Sequence, residues 1–270
     1  MPLTAQAFLR LKSIRKIVSE MNYRNNDSDT IPFQGVVPNV THLTLKNSDL
    51  AFSLVFGNLL QLFCNLTHFI YSKYAEPEPD FAFLPDQMRL GIMHLKHTLR
   101  ELTIINHQEE LVTVKYPVGE GEGMPFGFLV ELQRLRHLEA SVSILVGRRQ
   151  DTSVDARNLP DAFSDGEETR FAASLPDSLE DLFLRICFPN IFAVVEASFK
   201  RRLQGGWRKM RTVELVFADG PHGLDLNGIE EEGADCATLG RRVDVVVKIR
   251  GGEDRWDEEV RSLSNPPEST

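Results

Sequence analysis

The sequence predicts a repeating α/β fold in which short parallel strands line one face and helices line the other. Three observations lead to it. Two segments, Asn39-Val-Thr-His-Leu-Thr-Leu45 and Asn65-Leu-Thr-His-Phe-Ile-Tyr71, share the frame N-φ-T-H-φ-x-φ, with φ apolar, and lie 26 residues apart. The shorter frame φ-x-x-φ-x-φ returns at Leu99/Leu102/Ile104, Leu135/Leu138/Ala140, Leu179/Leu182/Leu184 and Met210/Val213/Leu215, in steps of 33, 36, 44 and 31 residues, and a degenerate copy stands at Gly240/Val243/Val245. Each frame alternates like a half-buried strand, and most follow a stretch with helical apolar spacing.

Helix then strand at such periods is the pattern of a leucine-rich-repeat solenoid, with a parallel sheet on the concave face and helices on the convex face. A doubly wound sheet shares the alternation. Its strands, covered on both faces, would read as continuous Val, Ile and Leu, whereas these are polar at every second position.

Taken in order, Leu11 to Ile17 reads either as the strand of an earlier repeat starting at Ile14, again 26 residues before Val40, or as an amphipathic helix. Helical spacing follows over Leu50 to Phe63, Asp86 to His97, Phe128 to Gln133 and Ile191 to Leu203. Asn22 to Thr30 and Pro117 to Gly127 are polar or glycine-rich and read as loops. The acidic stretch Gly147 to Ser174 explains the longest step as an insertion expected to be disordered, and the tail after Ile249 reads the same way. The expected organisation is therefore a partial repeat or helix over 1–35, an irregular repeat domain over 36–250 with the insertion at 147–174, and a disordered acidic tail over 251–270. A chain that starts inside a repeat, with no polar cap, would be a truncated gene product or one lacking an upstream domain.

Composition narrows the function. The 270 residues are 42% hydrophobic and 26% charged, enough for a sizeable core, and the net charge of −9 has the wrong sign for a phosphate-backbone or anionic-membrane partner. Three scattered cysteines, Cys64, Cys187 and Cys236, fit neither a disulfide framework nor a zinc cluster and point to a reducing, intracellular location in cytoplasm or nucleus. Cys64 and Cys187 read as buried structural thiols. No signal peptide or membrane span is readable. Gly119-Glu-Gly-Glu-Gly123 lacks the Lys-Ser/Thr of a phosphate loop, no hydrolase, kinase or metalloprotease signature occurs, and no cofactor is implied. The basic cluster at Lys200, Arg201 and Arg202 complements a helix dipole.

The phrases Leu95-Lys-His-Thr-Leu-Arg-Glu-Leu-Thr-Ile104, Leu132-Gln-Arg-Leu-Arg-His-Leu138, Leu175-Pro-Asp-Ser-Leu-Glu-Asp-Leu-Phe-Leu184 and Met210-Arg-Thr-Val-Glu-Leu215, with a closing helix before a Gly-x-x-Val-x-Val strand, carry a resemblance. Over roughly Val36 to Lys248 the chain resembles the degenerate leucine-rich-repeat regions of filamentous-fungal F-box-type proteins. The resemblance implies repeats that select a client for a cullin-based ubiquitin ligase, which an F-box would join through an adaptor. No F-box segment is recognisable before Val40.

Alternation also predicts which side chains face away from the helices. A first column reads His42, His68, Glu101, His137, Asp181, Thr212 and Arg242. A second reads Thr44, Ile70, Thr103, Glu139, Phe183, Glu214 and Asp244, and a third Lys46, Ser72, Ile105, Ser141, Arg185, Val216 and Val246. Neighbouring strands lie about 4.8 Å apart, so His42, His68 and Glu101 form a row whose chemistry would suit zinc. Exposed sheet positions must carry polar residues in any case, so no metal is assigned. The expected use of the columns is a protein-binding face formed by His42, His68, Ile70, Glu101, Ile105, His137, Glu139, Asp181, Phe183 and Arg185, with Ile70, Ile105 and Phe183 as apolar anchors. The sequence thus reads as a non-catalytic interaction module, a monomer or a subunit of a larger complex. The alternatives are an α/β enzyme that would use His42, His68, Glu101 and His137, and a truncated gene product without independent function. The register itself is at risk: Leu102, Leu138, Leu182 and Val213 must be buried, and Glu101, His137, Asp181 and Thr212 must not.

Overall fold

The computed structural model describes residues 12–20, 36–46, 55–73, 85–106, 127–142, 145, 167–187, 191–217 and 226–251. Strands β1 (Lys16–Glu20), β2 (His42–Lys46), β3 (His68–Lys73), β4 (Glu101–Asn106), β5 (His137–Ser141), β6 (Asp181–Cys187), β7 (Thr212–Phe217) and β8 (Val246–Gly251) form one open, 8-stranded, wholly parallel sheet in the order of the sequence. Helices α1 (Val55–Gln61), α2 (Pro85–His94), α3 (Glu167–Ser174), α4 (Ile191–Leu203) and α5 (Leu226–Arg242), with a 3-10 helix at Gly127–Glu131 between α2 and α3, occupy the connections. Each helix touches the next along the row.

The second and third φ positions of the frame are the reason the strands form where they do. Leu43, Phe69, Leu102, Leu138, Leu182 and Val213 are cross-strand neighbours in register, as are Leu45, Tyr71, Ile104, Ala140, Leu184 and Leu215. All are buried, and they share one apolar cluster with Leu60, Met88, Ile92, Phe128, Phe171, Ile191, Val195 and Cys236 from the helical connections. Glu101 is exposed, and His137, Asp181 and Thr212 are half-buried, so the predicted register holds from β2 to β7. The N-terminal ambiguity resolves as a strand. Lys16 pairs with His42, which sets Ile14 opposite Val40 as the 26-residue step requires.

A carbonyl ladder fixes this register where the strands begin. The Arg15 carbonyl accepts the N–H groups of Thr41 and His42 at 2.8 and 3.0 Å, and the Thr41 carbonyl accepts those of Thr67 and His68 at 2.9 and 3.0 Å. Thr67, Arg100, Arg136 and Glu180 repeat the pattern for β4 to β7, and Arg211 receives Val246 at 2.8 Å. The N-φ-T-H phrase adds side-chain bonds to it. The hydroxyl of Thr67 donates to the Thr41 carbonyl at 3.0 Å, and the amide of Asn65 donates to the Pro38 carbonyl at 2.8 Å.

Three expectations are corrected. The last copy is not Gly240/Val243/Val245, because β8 pairs Thr212 with Val246 and Leu215 with Ile249. Gly240 belongs to α5, and the next residues form its C-terminal cap. Val245 donates to the Gly240 carbonyl at 2.9 Å and Asp244 to that of Arg241 at 3.4 Å, with Asp244 at φ 58°. This double turn with a left-handed residue is how helices commonly end, and it shifts the last strand by four residues. Arg242 and Asp244 therefore leave the columns, and Val246 moves from the third to the first.

The insertion is also shorter than predicted. Residues 167–174 are the helix α3, anchored by Phe171 and Ala172 in the core; 147–166 lie outside the described residues, as do 22–30 and 117–126, expected as loops, and 252–270, expected as a tail. Finally, Arg201 and Arg202 do more than complement the end of α4. Arg201 donates to the Leu175 carbonyl at 3.3 Å and to Asp177 at 3.1 Å, and its guanidinium lies 5.6 Å from the ring of Trp207. Arg202 donates to the carbonyls of Trp207 and Met210 at 2.6 and 2.7 Å. These arginines tie one repeat to its neighbours around a fully buried Trp207, which is held at φ 47°. Gly205, at φ 97°, supplies the left-handed turn that ends α4.

Leu138 has no exposure and Leu203 is 69% exposed. Leu138→Ala is expected to cost about 2–5 kcal/mol in urea unfolding, whereas Leu203→Ala should change stability by no more than about 0.5 kcal/mol.

Candidate functional site

The face opposite the helices carries the three columns, and the cross-strand register aligns them. From β1 to β8 the first reads Lys16, His42, His68, Glu101, His137, Asp181, Thr212 and Val246. The second reads Val18, Thr44, Ile70, Thr103, Glu139, Phe183, Glu214 and Lys248. Lys16 and Val18 were legible once β1 was read as a strand.

The first column is a chain of side-chain contacts. The rings of His42 and His68 stack with centroids 3.9 Å apart and planes at 12°. His68 Nε2 lies 2.9 Å from Glu101 Oε1. Farther along, His137 Nδ1 is 4.0 Å from Asp181 Oδ2, and its ring lies 4.7 Å from that of Phe183.

Hydrogen bonds orient both rings of the stack. The Thr67 hydroxyl lies within hydrogen-bond distance of both the Thr41 carbonyl, at 3.0 Å, and His68 Nδ1, at 2.7 Å. The carboxylate of Glu101 accepts from His68 Nε2. The Thr41 hydroxyl likewise lies 2.8 Å from His42 Nδ1 and 3.3 Å from the Arg15 carbonyl. Burial first, then the charges of His68 and Lys16, hold the His42 pKa below its usual 6.5, against a smaller opposing pull from Glu101.

The second and third columns are less accessible than alternation predicts. Thr44, Ser72, Thr103, Ser141, Glu214 and Val216 are buried, and Ile105, expected as an exposed anchor, is 3% exposed. Long side chains of the face itself account for part of this. Arg185 donates to Glu139 Oε1 through Nε at 2.5 Å and pairs with it through Nη2 as well, leaving the two side chains 12% and 16% exposed. Glu214 is held by Arg250 at 3.2 Å and Lys248 at 3.9 Å. Glu139 and Arg185 are therefore turned toward each other, while Ile70 and Phe183 stay half-buried and reachable. What remains open is a rim along the strand starts, with those two apolar side chains just inside it. Glu214 and Arg250 escaped notice as a pair because the last strand was out of register.

Among the described residues, no group of three or more His, Cys, Asp or Glu side chains is arranged to hold a metal ion, and no helix is long and apolar enough to cross a membrane. Cys187 and Cys236 are buried, and burial drives the Cys187 pKa far up, so its thiol is inert. Cys64 is half-buried rather than fully enclosed. No family model matches the chain, and neither a curated protein nor a solved structure shows significant similarity to it.

Two consequences are measurable. Glu139→Ala removes the carboxylate that Arg185 pairs with in a largely buried setting and is expected to cost about 3 kcal/mol, the lower end of what breaking a buried pair costs because both groups keep some solvent. A double-mutant cycle with Arg185→Ala in urea should return a coupling between the two. Acid is the second test. Because His42 has a lower pKa folded than unfolded, its neutral form's contribution to stability is complete above pH 6.5 and is lost as pH falls from there through the folded value. His42→Asn should flatten that part of a stability-versus-pH curve, read as the urea midpoint.

Proposed function

We propose that the chain is a non-catalytic protein-interaction module, a leucine-rich-repeat-like solenoid that binds an intracellular protein partner along the strand-start rim and its two apolar anchors. The observation that carries this reading is the sheet order. Eight parallel strands follow one another without a reversal, so the sheet lacks the crevice between outward-running halves in which open α/β enzymes bind their ligands. The rim mixes imidazole, carboxylate, hydroxyl and aromatic groups, a composition suited to protein recognition. The resemblance to fungal F-box-type repeat regions extends the proposal: the partner is a client, and the chain is the client-selecting portion of a ubiquitin-ligase receptor. A net charge of −9 argues against nucleic acid as the partner.

One observation favours the enzyme alternative. Thr67 Oγ1, His68 and Glu101 lie in a row at 2.7 and 2.9 Å, as a nucleophile, base and acid would. Against it, the backbone N–H groups of Thr67 and His68 already donate to the Thr41 carbonyl, so they are not free to stabilise an oxyanion there. The hydroxyl proton is engaged by the same carbonyl.

Affinity capture from an extract of the source cell should separate the readings. A variant with Ile70→Asp and Phe183→Asp is expected to lose the partners that the unaltered chain retains. Ile105 is left unchanged because a charge at that buried position would test folding instead. An identical set of captured proteins would remove the rim from consideration, and turnover abolished by Thr67→Val would revive the enzyme.

A further inference from the structure

We propose that the segment received by the strand-start rim is an acidic peptide, its carboxylates taken by arginines of the turns that lead into β4, β5 and β7. The inference rests on the reading of the rim as a docking surface and names the chemistry of what docks.

These turns end on residues of the carbonyl ladder: Arg100 before β4, Arg136 before β5, Glu180 before β6 and Arg211 before β7. The carbonyls of Arg100, Arg136 and Glu180 each accept two N–H groups of the next strand, which fixes the backbone of the row. The side chains of Arg100, Arg136 and Arg211 stay exposed, and exposed Arg134, Arg208 and Lys209 flank them. Helix dipoles do not account for this charge. Helices α2 and α4 end at His94 and Leu203, more than a turn before Arg100 and Arg211, and the dipole acts within the last turn.

Glu180 organises the middle of the row. Its side chain is 20% exposed and stands between two guanidiniums, 3.6 Å from Arg136 Nε and 4.0 Å from Arg211 Nη2, while those arginines remain 59% and 76% exposed. One negative charge is thus shared by two cations. A guanidinium carries several N–H donors in a fork that matches a carboxylate, so both arginines keep donors for a second acceptor. The other carboxylates nearby are engaged: Glu101 with His68, Asp181 with His137 and Asp177 with Arg201. Among the described residues no carboxylate pairs with Arg100, Arg134 or Lys209.

A peptide fits this row better than a nucleic acid. The chain's net charge is −9, yet the described residues carry more Lys and Arg than Asp and Glu. Charges more than about 8 Å away are largely screened at physiological salt, so a short acidic segment responds to the turns themselves. A run of phosphates would have to cross Glu180 and Asp181. Trp207, the aromatic ring of the turn into β7, is fully buried and closed to base stacking. From β4 to β7 the strand starts span about 14 Å, which an extended segment of about five residues covers. Such a segment carries acidic side chains at its two ends and an apolar one between them that meets Phe183.

The test uses the full chain and the fluorescently labelled peptide Glu-Glu-Gly-Leu-Gly-Glu-Glu, with binding read as anisotropy. Affinity is expected to weaken as salt is added and to fall by about tenfold in Arg136→Gln with Arg211→Gln. It should weaken also in Arg100→Gln, and that variant decides the matter should urea unfolding show the double variant to be misfolded. Arg89→Gln with Lys46→Gln removes the same charge away from these turns and should leave binding unchanged. The acidic occupant is overturned if the peptide does not bind, if Gln-Gln-Gly-Leu-Gly-Gln-Gln binds equally well, or if the folded arginine variants bind like the unaltered chain. A single-stranded oligonucleotide of equal charge that binds more tightly overturns it too. The rim reading fails separately, when Ile70→Asp with Phe183→Asp changes nothing in affinity capture. A rim that passes that capture, with a peptide that does not bind, removes the acidic occupant alone.

Discussion

The carbonyl ladder at the strand starts is the constraint from which the other features follow. A single carbonyl in each repeat accepts two consecutive N–H groups of the next, from Arg15 through Glu180, and this fixes both the stagger and the direction of every strand relative to its neighbour. A slip of one residue would turn every apolar side chain to the wrong face. With the stagger fixed, Leu102, Leu138 and Leu182 must meet across the sheet and the helices must cover them. The same stagger lines up His42, His68 and Glu101 on the other face, so the core and the rim are two consequences of one set of hydrogen bonds.

The N-φ-T-H phrase shows how a short motif can serve both purposes. Its asparagine and threonine reinforce the ladder, and its apolar residues enter the core. Its histidine is delivered to the rim already oriented by the threonine hydroxyl. Repetition of the phrase after 26 residues stacks one histidine on another, and the glutamate that begins the next strand then makes the two unlike.

Much of the fold was legible because alternation and helical spacing are local properties. The frames at Val40, Leu66, Leu99, Leu135, Leu179 and Met210 needed no knowledge of the rest of the chain, and the 26-residue step extended them back to Ile14. The misreading at Gly240/Val243/Val245 has an equally local cause: a helix end followed by a left-handed turn also places apolar residues three and two apart. Only the pairing of Val246 with Thr212 separates the two. Helix α3 was hidden by the acidic residues around it, and only its packing through Phe171 distinguishes it from the insertion in which it sits.

The rim was half legible. The sequence by itself determined which side chains lie on each face and in each column, because a strand reverses its side chains at every residue whatever surrounds it. What only the tertiary structure decided was access and charge. Ile105 sits in the right column yet is closed off, Glu139 and Arg185 neutralise each other across two strands, and His42 and His68 differ in surroundings because only His68 has the Glu101 carboxylate beside it. These depend on distances between residues dozens of positions apart, which chain periodicity does not encode.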